Sequence, residues 1–218
     1  MKKSSILILA SIFACCSAFL GDLAITWILG SQYQGYNQLK NTLSSLGVSE
    51  SPVSAEISVW WVVSGVLLSI FAFGVANVFS DRGKYAKIAA WLIFLYALGD
   101  GIGSGAFKAN YVGNELTTVG FIHDTVGGIG VTGILILPLI MLKVIPETEI
   151  PGFKRFSLIL FFTGIVSIFL FLFRFSSDQT NFLSIYKGLW QRLFIINVYI
   201  YLIRLALIMI KKIKTKNK

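Results

Sequence analysis

The chain has 218 residues, 56% of them hydrophobic and only 13% charged, with a mean hydropathy of +0.77 and a net charge of +9. A water-soluble domain carries roughly 25% charged residues, so a soluble globular fold is excluded. The basic surplus invites a nucleic-acid role, but its distribution along the chain explains it better as membrane orientation.

The apolar residues come in six runs of about twenty, the length that crosses a hydrocarbon core of about 30 Å as a helix. They cover about residues 5–30, 57–80, 87–107, 118–143, 156–175 and 185–210. The expected fold is all-α: one integral membrane domain over residues 1–218, a bundle of six transmembrane helices with short loops and a basic tail, 211–218. The first run begins like a signal peptide, MKKSSILILASIFACCSA. Its apolar stretch continues through Phe19, Leu20, Ile25 and Trp27, too long for a signal segment, which predicts an uncleaved first span. Ser11, Cys15, Ala18, Asp22 and Thr26 follow at spacings of three and four, a small and polar stripe that faces the bundle interior.

The loop after span one reads GYNQLKNTLSSLG, residues 35–47. Asn37 is a candidate N-cap and Gly47 a C-cap. Tyr36, Leu39, Leu43 and Leu46 share a helical face, which predicts a short amphipathic helix over 36–46, lying in the membrane interface as a lid or as a plain surface helix.

Span three carries FLYALGDGIGSGAF, residues 94–107, with Asp100 among Gly99, Gly101, Gly103 and Gly105. Span four supplies Gly127, Gly128, Gly130 and Gly133. Glycines four apart let two backbones approach, so these spans are expected to pack tightly. GIGVTG, residues 128–133, matches a dinucleotide fingerprint in letters only, since no strand precedes it. His123 and Asp124 open span four, Thr163, Ser167 and Arg174 share a face of span five, and Gly188, Gln191, Arg192 and Tyr199 lie on span six.

Lys2, Lys3, Arg82, Lys84, Lys87, Lys143, Lys154, Arg155 and lysines 211, 212, 214, 216 and 218 fall on one side, thirteen in all. Lys40, Lys108, Arg174 and Lys187 fall on the other, four in all. The positive-inside rule then places both termini in the cytoplasm of a multi-pass cell-membrane protein. The basic tail is expected to lie against anionic lipid rather than nucleic acid. In this orientation Asp22, Asp100, His123, Asp124, Gln191 and Arg192 all fall in the outer half. An unpaired charge at mid-membrane costs about 2.5–3.5 kcal/mol, so Asp22, Asp100 and Arg192 must find partners or water. The expectation is that Asp100 faces Arg192, with Asp22 competing for it and His123 within reach. That cluster is either a structural ion pair or a pocket.

GYNQLKNTLSSLG, His123 and GLWQR at 188–192 are also where the chain resembles the membrane proteins grouped as domain of unknown function 998. That family's usual proline before Gly-Tyr is Gln34 here, and Lys108-Ala109-Asn110 stands where an aspartate is expected after span three. The resemblance implies a six-span fold and supplies no activity.

The functional reading is an outward-facing polar cluster of Asp22, Tyr36, Asn37, Asp100, His123, Asp124, Gln191 and Arg192. It would bind a small polar molecule, a lipid head group or a partner at the outer leaflet, with membrane lipids as neighbours and no cofactor. The alternatives are a hydrolase acting on a lipid head group through His123 and the aspartates, or a proton- or ion-coupled transporter. A catalytic zinc usually takes three protein ligands, and this chain has one histidine, so no metal is expected.

Overall fold

The computed structural model describes residues 3–112 and 115–216. Among the described residues six helices are long and apolar enough to cross a membrane: Ile6–Gln32, Ser54–Val78, Ser80–Ala106, Thr118–Met141, Phe153–Phe175 and Lys187–Lys214. They are called the first to sixth spans. The all-α polytopic fold expected from the apolar runs is therefore present. The third span starts earlier than its apolar run, with a 3₁₀ turn at Ser80–Arg82 and an α-helix from Gly83. The sixth span's helix continues to Lys216, and the last two residues of the expected tail lie outside the described residues.

Consecutive spans pack side by side, and the sixth returns to touch the first. Lys212 pairs with Asp81, and Ser11 and Met209 both lie against Gly74, so the two chain ends share one end of the bundle, the terminal end. That half is filled by apolar side chains, including Phe71, Phe79, Leu137, Met141, Leu202 and Leu205. It also holds an intramembrane cation that the sequence reading passed over: Arg204, stacked on the Phe156 ring.

The glycines of the third span serve two neighbours. A Cβ on Gly99 would overlap the Val126 carbonyl of the fourth span, while one on Gly101 would meet Gly65 Cα of the second at 2.6 Å and one on Gly105 the Ser58 carbonyl at 2.5 Å. Close approach to the fourth span matches the expectation; close approach to the second is additional. Between them, Ala97–Gly103 winds as a π-helix, with Asp100 at its centre.

The loop following the first span departs from expectation. It forms no helix over 36–46; turns lead into a 3₁₀ helix limited to Leu43–Leu46. Gly47 is the C-cap of that 3₁₀ helix, but Asn37 is not its N-cap, a place taken by Thr42; the Asn37 Oδ1 accepts from the Leu39 and Lys40 amides within a turn. The backbone groups that an α-helix would use internally are bonded to the sixth span instead. Leu189 N donates to Leu39 O at 2.8 Å, and Leu43 N donates to Gln191 Oε1 at 2.7 Å. A Cβ on Gly188 would overlap the Asn41 carbonyl, so the loop is seated directly on the sixth span's first turn. The next distal loop ends the third span and forms a two-residue hairpin, Tyr111–Val112 with Glu115–Leu116. Asn110 exchanges hydrogen bonds with Ser49, accepting from its amide at 2.9 Å and donating to its hydroxyl at 2.7 Å.

Candidate functional site

Under the seated loop lies a cavity of about 280 Å³. Its walls come from the first, second, third, fourth and sixth spans, and Gln38, Leu39, Leu43 and Ser44 of the loop close the distal side. A second cavity of about 200 Å³ lies toward the fourth and fifth spans. The two share Ser44, Asp100, Ser104, His123, Gln191 and Ile195, so they adjoin across one wall.

The residues singled out from sequence distribute unequally. Asp22 and Arg192 line the first cavity, Asp124 lines the second, and Asp100, His123 and Gln191 line both. Tyr36 touches the site only through Arg192, and Asn37 is exposed and serves its own turn.

The expected Asp100–Arg192 ion pair does not form. Arg192 Nη1 donates to the carbonyls of Asn41 at 3.0 Å and Gly188 at 3.1 Å. Its Nη2 donates to the Tyr36 hydroxyl at 2.7 Å and Gln38 Oε1 at 2.5 Å. All four acceptors are neutral. Burial raises the Tyr36 hydroxyl above the ordinary phenol value, so it stays protonated and donates onward to the Thr42 carbonyl at 3.1 Å. Arg192 uses its donors on the loop and its own first turn, and Asp100 has a partner on its own helix, Tyr96. Tyr199, seven residues on and about 10 Å deeper at 1.5 Å per residue, is the sixth-span residue that reaches Asp22.

Asp22 is held by neutral donors as well: Trp60 Nε1 reaches Oδ1 at 2.5 Å and the Tyr199 hydroxyl reaches Oδ2. Asp100 has the Tyr96 hydroxyl of the preceding helical turn beside it. A buried carboxylate needs hydrogen bonds, but these need not come from a cation. Tyr96, Tyr199 and Trp60 are thus the partners that counting charges missed. Tyr96, one turn before Asp100, was an available signal, whereas Trp60 and Tyr199 lie on other spans than Asp22.

His123 is 6% exposed, and its Nδ1 lies 2.7 Å from the Phe107 carbonyl. A carbonyl only accepts, so Nδ1 carries the proton. Nε2 then remains as the free ring atom, with no hydrogen bond among the described residues. Ser104, 7% exposed, lines both cavities, and its hydroxyl likewise makes no hydrogen bond among the described residues. Asp124 faces Arg174 across the second cavity at 3.3 Å. Among the described residues no group of three or more His, Cys, Asp or Glu side chains is placed to hold a metal ion.

Leu23, Trp27 and Ile196 form part of the first cavity's rim and are 46%, 66% and 38% exposed on the bundle's outer surface. These three residues thus belong both to the cavity lining and to the outer surface of the first and sixth spans. Against known proteins, the model of the family described as protein of unknown function (DUF998) matches residues 16–208. No curated protein and no solved structure matches the chain.

Proposed function

The chain belongs to the DUF998 family of membrane proteins, and from that premise we propose that it binds the polar head group of an amphiphile admitted sideways from the bilayer. The observation that carries the reading is the cavity's two-sided character. Its floor presents Asp22, Asp100, Ser104 and His123, while its rim presents Leu23, Trp27 and Ile196 to lipid. A head group fits the polar floor while its chain stays against the apolar rim, so neither part is placed in the wrong medium. The apolar packing of the terminal half supports binding over passage, because its buried hydroxyls bond locally, Ser11 to the Ile8 carbonyl and Ser157 to Tyr201.

The terminal end carries the lysine excess, so the positive-inside rule supports cytoplasmic termini and a cavity in the outer leaflet of the cell membrane. A C-terminal fusion to a reporter active only after export should be silent; activity would reverse the orientation. The binding reading is tested with a dodecyl amphiphile bearing a photoreactive diazirine beside its head group, followed by peptide mass spectrometry. Adducts on Asp22, Trp61 or Gln191 are expected. Adducts confined to outward-facing residues such as Phe13 and Leu20 would overturn it.

A further inference from the structure

The side chains lining the two adjoining cavities include three aspartates, Asp22, Asp100 and Asp124, and two arginines, Arg174 and Arg192. Asp124 and Arg174 face each other, and Arg192 is engaged by four neutral acceptors. His123 directs its Nδ1 proton at a carbonyl. Ionised side chains therefore leave one surplus negative charge, located at the two carboxylates that have no cationic partner among the described residues. Of these, Asp22 is occupied by Trp60 and Tyr199, while Asp100, with the Tyr96 hydroxyl on one side, stands at the junction of both cavities.

Hydrogen-bonding capacity at the junction is also one-sided. Asp100 Oδ1 and Ser104 Oγ face Gly127 together, at 4.0 and 3.9 Å from where a Cβ would stand. Ser104, its hydroxyl unbonded, and His123, its Nε2 unbonded, line the same wall. The unoccupied valences are thus a carboxylate oxygen, a hydroxyl and an imidazole lone pair, three acceptors from three residues. A protonated primary amine offers three N–H donors and one positive charge, and its hydrogen bond to a carboxylate is charge-assisted.

We propose that the head group this cavity selects is a primary alkylammonium, seated at Asp100 with Ser104 and His123 as its other acceptors. The proposal rests on the head-group reading above and specifies its chemistry. A quaternary ammonium has the charge without the donors, an alcohol the donors without the charge, and a phosphate the wrong sign beside two carboxylates.

The test is competition for the photoreactive probe by dodecylamine, dodecyltrimethylammonium, dodecylglycerol and dodecyl phosphate on the purified full-length chain. Dodecylamine should displace the probe at a concentration lower by about tenfold or more, the worth of one hydrogen bond to a charged group. Asp100→Asn should abolish that preference, and Ser104→Ala should reduce it several-fold, while Glu149→Gln at the terminal end leaves it unchanged. Thermal unfolding of each variant shows whether the fold survives, and Ser104→Ala decides the matter if Asp100→Asn does not fold. Equal displacement by dodecylamine and dodecylglycerol would overturn the amine assignment and leave head-group binding standing. So would equal displacement by the trimethylammonium. Displacement by none, with labelling confined to the outer surface, would sink both.

Discussion

Arg192→Lys isolates what the guanidinium does in the seated loop. Its two terminal nitrogens each hold two acceptors, Asn41 O with Gly188 O, and Tyr36 Oη with Gln38 Oε1. Lysine keeps the charge but has one nitrogen, so it can occupy only one of those positions. Two hydrogen bonds to a charged group are lost, at about 1.5–3 kcal/mol each. The Tyr36 hydroxyl keeps its bond to Thr42, and partial rearrangement recovers some of the rest. The expected loss is about 3 kcal/mol, read from equilibrium unfolding in mixed detergent micelles. A double-mutant cycle with Tyr36→Phe should give a coupling of about 1 kcal/mol or more, because the two side chains touch. The same cycle with Asp100→Asn should be additive to within about 0.5 kcal/mol, as for residues with no shared partner. Strong coupling to Asp100 with none to Tyr36 would refute the reasoning and restore the ion pair.

Gly188→Ala should unseat the loop from the sixth span, raising proteolysis within residues 36–47 while the six spans persist; unchanged cleavage would contradict the close backbone approach. Gly99→Ala should destabilise the bundle by about 1–3 kcal/mol through overpacking against Val126, whereas Gly128→Ala, with open space around its Cβ position, should be neutral or stabilise by up to about 1 kcal/mol. Equal effects in thermal unfolding would show that the contacts are misplaced. Glu147 accepts the amides of Gly152 and Lys154 at the start of the fifth span, and those bonds hold its carboxyl below the usual glutamate range. Its stabilising contribution is complete above the unfolded value of about 4.3 and is lost as pH falls through the lowered folded value. Glu147→Gln should therefore flatten the acid limb of the stability profile, and an unaltered limb would count against the cap.

The spans were legible because length and apolarity alone decide whether a segment crosses a bilayer. Which residues face inward on a single helix was legible too: Ser11, Cys15, Ala18 and Thr26 are buried, and Asp22 reaches the cavity. Azimuth between helices was not. Helical periodicity places Asp100 and Arg192 in the same half of the bundle but says nothing of which neighbour each meets. Counting charges also ignored Trp60, Tyr96 and Tyr199 as partners. The loop misled for a related reason. Tyr36, Leu39, Leu43 and Leu46 have helical spacing, yet the loop's backbone groups bond to the sixth span, a preference that no local pattern records. The two stretches carrying the family resemblance, GYNQLKNTLSSLG and GLWQR, turn out to be bound to each other. Glycines at 99, 101, 103 and 105 left a trace of the π segment, since they must meet close neighbours on two sides.

That π segment sets the rotational phase of everything after it. A π turn closes its hydrogen bonds one residue later than an α turn, so Ala97–Gly103 takes up one residue more than a regular helix needs. Removing a single residue there would let the segment close as ordinary α-helix with the remainder nearly in place, whereas winding the same residues as α-helix would rotate the remainder of the span by about 100°. Ser104 would leave the cavity wall, and the Phe107 carbonyl that fixes the His123 tautomer would turn away with it. The register of one winding, rather than the identity of any side chain, thereby decides whether the third and fourth spans present a common surface at all.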